Sequence, residues 1–468
     1  MKELLWPANR KRIAPTRDDL STREFIISHS RRFPLASKVA LAGAALIAAG
    51  MLFSCTSKAP KSLVTPPNAA AVKAGQAHRE PVRGVWLTTV SRLDWPPVGS
   101  IIASTPQSRI TQQKLALIAK LDNLQRLGIN TVFFQVKPDG TALWRSDILP
   151  WSDMLTGKIG EYPGYDPLQF MLDEAHKRGM KVHAWFNPYR VSVNTKPSTI
   201  AELNNTLTQV PASVFVLHRN WIRTASDRFV LDPGIPEARD WITSIVAEVV
   251  QNYPIDGVQF DDYFYTETAS SPLNDNETFR RYGQGYASKG DWRRHNTQQL
   301  IAQVSTTIKK LNPNVEFGVS PAGVWRNRSH DPAGSDTRGA AAYDESYADT
   351  RSWVQQGLLD YIAPQIYWPF ARDAARYDVL ANWWAEVVKP THTRLYIGVA
   401  LYKVGEPSKN EPDWTVDGGV PELKKQLDLN ETLPQIQGTI LFRENNLNQP
   451  QTRQAVNYLR SRWGQPQS

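Results

Sequence analysis

The stretch YPIDGVQFDDYFY, residues 253–265, decides how the chain is read. Apolar residues run to Phe260, and then two carboxylates and three aromatics follow directly. The pattern predicts a short strand that stops at Asp261 and Asp262. A strand with a purely structural end closes more often on Gly, Asn or Ser. Two neighbouring carboxylates repel, and each raises the other's proton affinity. Such a pair at a strand end asks for a chemical reason.

Working outward, seven further β-type runs surround this one. They are RGVWLTTV (83–90), NTVFFQVK (130–137), KVHAWFNP (181–188), VEFGVSP (315–321), DYIAPQIYW (360–368), LYIGVALY (395–402) and GTILFRE (438–444). Helical patterns separate them. QQKLALIAKLDNLQRLG carries apolar residues at helical spacing and ends at Gly128. DPLQFMLDEAHKRGM opens on an Asp cap with Pro167 and stops at Gly179. PEARDWITSIVAEVVQNY and NTQQLIAQVSTTIKKLN repeat that logic. Alternating strands and helices imply parallel βα units, and eight of them imply an α/β (β/α)₈ barrel of the TIM type. A doubly wound sheet is the structural rival, but no GxGxxG follows a strand. Residues 189–235 and 264–296 exceed a minimal barrel and are expected as long βα loops on the catalytic face.

In a barrel, polar residues at the C-terminal strand ends gather around one cleft. The first strand offers Thr88, Thr89 and Arg92, and the second Gln135, Lys137 and Asp139. The third offers Trp185, Asn187, Tyr189 and Arg190, and the fourth Asp261, Asp262, Tyr263 and Tyr265. Ser320, Trp325 and Arg326 follow the fifth, and Gln365, Tyr367 and Trp368 the sixth. Tyr402 and Lys403 end the seventh, and Arg443 and Glu444 the eighth. Carboxylates, amides and many aromatic rings together suit a carbohydrate. Sugar rings have apolar faces that stack on Trp and Tyr, and hydroxyl edges that bind amides and carboxylates. A glycosidic bond also needs a protonated carboxyl to donate to the leaving oxygen.

Each residue has a plainer reading. Asp261 and Asp262 point to opposite sides of a strand, so one can serve as the other's support. Glu444 is either a base across the barrel or a partner of Arg443 or Lys403. His183 is expected as a satisfied core histidine. Trp383 and Trp384 are expected to pack within a helix, and Asp232 to orient the turn before the next one. The eight histidines form no HxxxH or HExxH, so no metal and no cofactor is expected. No GxSxG elbow is present to supply a nucleophilic serine.

The chain of 468 residues is 41% hydrophobic with 16 Trp, which excludes wholesale disorder. Of the net charge of +9, residues 1–54 supply nine Lys/Arg against four Asp/Glu. The remaining +4 gives no nucleic-acid signature and suits an acidic glycan. RRFPLASK, then the 15-residue apolar run VALAGAALIAAGMLF, then SC reads as an export signal ending at the single cysteine, Cys55. It resembles a bacterial lipoprotein signal in which Cys55 takes the lipid, and Thr56 after it implies sorting to the outer membrane. The 38 residues before the apolar run exceed an ordinary leader, so translation is expected to start downstream of Met1, near Phe25. The expected organisation is a signal over 1–54, a flexible tether over 55–80 and one catalytic domain over 81–468. The protein is expected to face the periplasm as a monomer.

The pieces RGVWL, GINTVFFQV, DEAHKRGMKVHAWFNPYR, LDPGIPEARDWI, DGVQFDDYFY, SPAGVWRN, YIAPQIYW and GTILF closely resemble the glycosyl-hydrolase-like 10 family. With the export signal, the resemblance implies an outer-membrane lipoprotein glycosidase of the enterobacterial kind. Its implied substrate is peptidoglycan glycan that has lost its stem peptides. DGVQFDDY is also similar to the DGxDxDxE strand of chitinases. Asp256, Gly257 and Asp261 match, whereas Gln259 replaces one Asp and Tyr263 stands at the acid position. The acid role is therefore expected at Asp262, with Asp261 orienting or stabilising the substrate N-acetyl group. PQIYW is similar to the chitinase segment whose Tyr supports that group, which implies the role for Tyr367. Lys137, Arg190 and Arg326 are expected to hold the lactyl carboxylates of muramic residues. Three rivals stand beside hydrolysis: a non-catalytic glycan-binding lipoprotein, a lytic transglycosylase, and a metal-dependent deacetylase suggested by FDDY.

Overall fold

The computed structural model describes residues 80–464. The export signal, the tether and Cys55 lie outside the described residues. The described residues contain ten strands: β1 (Val82–Leu87), β2 (Thr131–Lys137), β3 (Lys181–Phe186), β4 (Ile222–Ala225), β5 (Arg228–Leu231), β6 (Gly257–Phe260), β7 (Glu316–Val319), β8 (Tyr361–Ile362), β9 (Arg394–Val399) and β10 (Ile436–Leu441). Eight of them close a barrel in the order β1-β10-β9-β8-β7-β6-β3-β2, every pair parallel. The expected (β/α)₈ barrel is present, and all eight expected strands are its staves.

Local chemistry explains the helices between the staves. Thr105 accepts from the Ser108 amide and Asp166 from the Gln169 amide at 3.0 Å, so each caps a helix that opens on Pro. Gly128 and Gly179 follow helix ends at φ +77° and +70°, where a Cβ is strained. Leu117, Leu121 and Leu124 of the helix Pro106–Arg126 are fully buried in the layer between helices and strands. A Leu121→Ala change there costs about 2–5 kcal/mol.

The bore of the barrel is filled separately. Trp86, Phe133, Trp185, Tyr361, Ala363, Tyr396 and Ile440 form one cluster. Glycines make room for it: a Cβ at Gly318 lies 2.2 Å from Tyr361 Cε2, and one at Gly257 lies 2.4 Å from His183 Nδ1. His183 sits among these rings with Nδ1 3.0 Å from the Tyr361 hydroxyl. Burial lowers its pKa to about 4, so it is a neutral core residue, as its apolar setting suggests.

Two features differ from expectation. The staves are shorter than the apolar runs: β8 has two residues, because Pro364 has no N–H to continue the ladder. The insert 189–235 also contains a hairpin, β4 and β5, paired antiparallel. Its turn is Ser226 and Asp227, at φ +51° and +57°. Hairpins of this type usually announce themselves with Asn-Gly or Asp-Gly. Ser-Asp between four-residue strands gives no such signal.

Candidate active site

The last rung of β6 is the Ser320 amide donating to the Phe260 carbonyl at 2.8 Å. Asp261 and Asp262 follow it at the mouth of the barrel, and they differ in access. Asp261 is 4% exposed, whereas Asp262 is only partly buried. Asp261 Oδ2 accepts from Asn187 Nδ2 and from Trp185 Nε1 at 3.3 Å, and its Oδ1 accepts from the Tyr263 amide at 3.2 Å. Asn187 is itself held, since Gln135 Nε2 donates to its Oδ1 at 2.6 Å. Gln135 Oε1 accepts from the amides of Thr89 and Val90, each at 2.9 Å. A chain of amides thus runs from the end of β1 across β2 and β3 to Asp261.

Asp262 carries a hydrogen bond with the Gln365 side chain. Gln365 Nε2 also donates to the Ser320 carbonyl at 2.9 Å, so the amide bridges the ends of β7 and β8. Among the described residues neither aspartate is ion-paired. Burial pushes the Asp261 carboxyl up to about 7, and the Asp262 charge adds to that rise. Burial also raises Asp262, opposed by its Gln365 bond and the Arg190 charge. The Arg190 guanidinium lies over the Tyr263 ring at 4.7 Å from the centroid. Tyr263 is pushed up to about 12 by burial and by the Asp262 charge. Tyr367 is raised too, by burial first and then by Tyr402 and Asp262. The structure therefore brings Asp261, Asp262, Trp185, Asn187, Arg190, Tyr263, Gln365 and Tyr367 together.

One group went unread in the sequence. Phe442, just past β10, completes an aromatic trio with Tyr367 at 5.7 Å and Tyr402 at 6.1 Å, and Tyr367 and Tyr402 are 5.8 Å apart. All three are partly exposed. They form a platform beside Asp262 of the kind that sugar faces stack on. Phe442 lies inside the apolar run 438–444, where nothing distinguishes it from a core residue. Trp368 is half-buried next to Gly323.

Several expected site residues have other work. Glu444 is fully buried and paired with Lys120 on the helix Pro106–Arg126, so it offers no base to the cleft. Lys137 gives its ammonium to the carbonyls of Asn187, Pro188 and Arg190 at 2.9, 3.1 and 3.3 Å. With three donors committed and burial lowering its pKa to about 7, it clamps the loop after β3 and does not hold a ligand. Arg326 is occupied by Asp344 and Asp331. Tyr189 is 1% exposed in the main core. Tyr265 packs with Val230 and Leu273 and accepts from Asn296 at 3.1 Å. Trp325 donates to Asp349 at 2.9 Å and stacks on Trp383. Asp139 is buried, its Oδ1 accepting from the Thr141 amide and hydroxyl at 3.0 and 2.6 Å, so it fixes a turn. Asp232 accepts from the Gly234 amide at 2.9 Å and orients the turn it was expected to orient. Among the described residues no group of three or more His, Cys, Asp or Glu is placed to hold a metal ion.

Residues 81–416 match the family described as Glycosyl hydrolase-like 10. The chain belongs to the glycosyl hydrolase-like 10 family. It is 73% identical over 440 residues to Glycosyl hydrolase DigH of Escherichia coli strain K12, covering 94% of this chain and 99% of that one. It is 43% identical over 376 residues to Glycosyl hydrolase YngK of Bacillus subtilis, covering 80% of this chain and 70% of that one. Among solved structures, the PgaB (BpsB) glycoside hydrolase domain of Bordetella bronchiseptica overlaps with a TM-score of 0.45 at 15% identity, over 83% of this chain and 99% of that chain. The glycosyl hydrolase-like 10 match includes the aspartate pair, Gln365, Tyr367 and Tyr402. It stops before β10 and Phe442.

Proposed function

We propose that this protein is a glycosidase that cuts peptidoglycan glycan strands lacking stem peptides. One observation carries the reading: two adjacent carboxyls at the end of β6, both raised in pKa and neither ion-paired, of which only Asp262 is open to a substrate. A carboxyl kept protonated near neutral pH can donate to a glycosidic oxygen. Asp262 gives its proton to the leaving oxygen as the bond to C1 breaks. The N-acetyl carbonyl oxygen of the same sugar closes on C1, and Asp261, held by Asn187 and Trp185, stabilises the charge on that group. Asp262, now a carboxylate, takes a proton from the water that reopens the ring. Gln365 positions Asp262, and Tyr367 with Tyr402 and Phe442 supports the sugar face.

A strand without stem peptides can lie flat along the aromatic platform, where peptide branches clash. The export signal supports a place at the outer membrane, anchored through lipid on Cys55 and facing the periplasm. Fractionating cells that carry Cys55→Ala checks this: the variant is expected to leave the membrane fraction, and its retention there overturns the anchor. The activity test incubates the protein and Asp262→Asn with peptide-free strands and reads products by mass spectrometry. New reducing ends from the unaltered protein alone are expected. Anhydro ends make it a lytic enzyme instead, and intact strands that nevertheless bind make it a glycan-binding protein.

A further inference from the structure

Lys137 and Arg326 are committed elsewhere, yet the cleft keeps guanidiniums that, among the described residues, are in no ion pair. Among the described residues the Arg190 guanidinium donates only to the Pro138 carbonyl, at 3.2 Å, beyond its contact with the Tyr263 ring. The hairpin supplies a second guanidinium. The Val191 amide donates to the Phe229 carbonyl and the Leu231 amide to the Tyr189 carbonyl, each at 2.9 Å, which sets Arg190 opposite Val230 in antiparallel register. Arg228 lies two residues from Val230 along β5. By the alternation of a strand it shares a face with Val230, and so with Arg190, as its diagonal neighbour. Arg228 is half-buried, and among the described residues its guanidinium is in no ion pair or hydrogen bond. It senses Arg190, Tyr263 and the exposed Asp227, and burial and Arg190 both lower its proton affinity.

Two guanidiniums placed side by side, partly stripped of water and unpaired, cost free energy that an anion between them recovers. A planar carboxylate matches the guanidinium fork. Arg190 also reaches the reacting pair, since its charge acts on both Asp261 and Asp262. We propose that Arg190 and Arg228 form a subsite for a carboxylate borne on the sugar next to the cleaved bond. This rests on the glycan-strand reading above and makes the hairpin the element that selects acidic sugars. It predicts discrimination by charge: uncharged N-acetylated oligosaccharides of equal length are poorer substrates.

The test compares strands with free carboxylates against the same strands with those groups amidated. Losing one charge-assisted contact is expected to lower kcat/KM about tenfold, mainly through KM. In Arg228→Met that discrimination collapses towards unity, and in Arg228→Lys, which keeps the charge, part of it remains. A variant that merely misfolds loses both substrates alike, so the ratio isolates the subsite. Equal kcat/KM of the unaltered protein on both strands, or an unchanged ratio in Arg228→Met, overturns the proposal. Calorimetry with Asp262→Asn keeps the subsite separate from the chemistry. Binding that is lost on amidation and lost again in Asp262→Asn with Arg228→Met supports the subsite even if no strand is ever cut. Binding indifferent to amidation removes it.

Discussion

Two groups of carboxylates on the rim of the barrel are partnered in different ways. At the end of β10, Glu444 meets Lys120, and nearby Asp94 accepts from the Thr88 amide and hydroxyl and the Asn445 amide while pairing with Arg443. At the end of β6, Asp261 and Asp262 meet amides, an indole and each other. Burial disfavours the charge in both places. On the β10 side Lys120 and Arg443 are ion-paired with the carboxylates and fix them as struts, the Lys120 charge opposing the rise that burial imposes on Glu444. On the β6 side no cation is ion-paired with the aspartates, the Arg190 charge opposes burial only in part, and the Asp261 proton stays within reach of neutral pH. A carboxylate at a barrel mouth is therefore not a catalyst by position alone; its partners decide.

The largest expected effect follows directly. Asp262→Asn removes the proton donor while keeping shape and the Gln365 contact. Turnover of peptide-free strands is expected to fall on the order of 10²–10⁴-fold with no loss of thermal stability. A loss below threefold returns the acid role to another group and erases the difference between the two sides of the rim.

Asp261→Asn is expected to act through the pair. The two carboxyls titrate together, and the working form carries one proton between them. The rate should therefore fall on the acid side, as a second proton arrives, and again above about pH 7, as the last one leaves. Removing the Asp261 charge takes away a neighbour that favours protonation, so the alkaline limb should move to lower pH, with kcat down roughly tenfold or more. Stability provides a second check. Asp261 has its folded pKa raised from 3.8 to about 7. The unfolded chain releases that proton first, so the group destabilises the fold increasingly as pH rises from about 4 to 7 and constantly beyond. Asp261→Asn should raise the melting temperature at pH 8 and change it little at pH 4. A gain at pH 4 that disappears at pH 8 contradicts the assignment.

How much of this was legible follows the same division. The barrel was legible because each stave is a run of β-branched and aromatic residues, and each long helix has its own cap and apolar stripe. Asp261 and Asp262 were legible because charge there interrupts an apolar pattern without serving it. Partners were not legible. Lys120 lies 324 positions from Glu444, on the helix Pro106–Arg126, and local spacing carries no trace of that pairing. Lys137 read as a ligand-binding cation because its three carbonyls belong to a loop whose path the sequence does not specify. Tyr189 and Tyr265 read as cleft aromatics because nothing marked the hairpin that covers them. Phe442 was hidden the opposite way, as an apolar residue in an apolar run that happens to pass the rim.

Phe442 gives a smaller expected effect. Phe442→Ala removes one face of the platform formed with Tyr367 and Tyr402. Lost stacking of about 1 kcal/mol should raise KM roughly fivefold while kcat stays within a factor of two. An unchanged KM, measured on strands of several lengths, places the bound sugar elsewhere along the rim.

Glu444→Gln should alter activity least and bears most directly on the contrast between the two sides. The substitution keeps the shape and leaves Lys120 without its carboxylate. Lys120 is near the surface, with 16% of its side chain exposed, so water takes over part of the lost contact. The expected cost is about 1–3 kcal/mol of folding stability, read from chemical denaturation. Turnover at saturating substrate should remain within twofold of the unaltered protein, because the carboxylate already has a partner and faces a helix. A drop comparable to that of Asp262→Asn, in a variant that still unfolds at the usual temperature, means that Lys120 hands the carboxylate over when a strand binds. The two sides of the rim would then be one catalytic unit, and the pairing seen here its resting state.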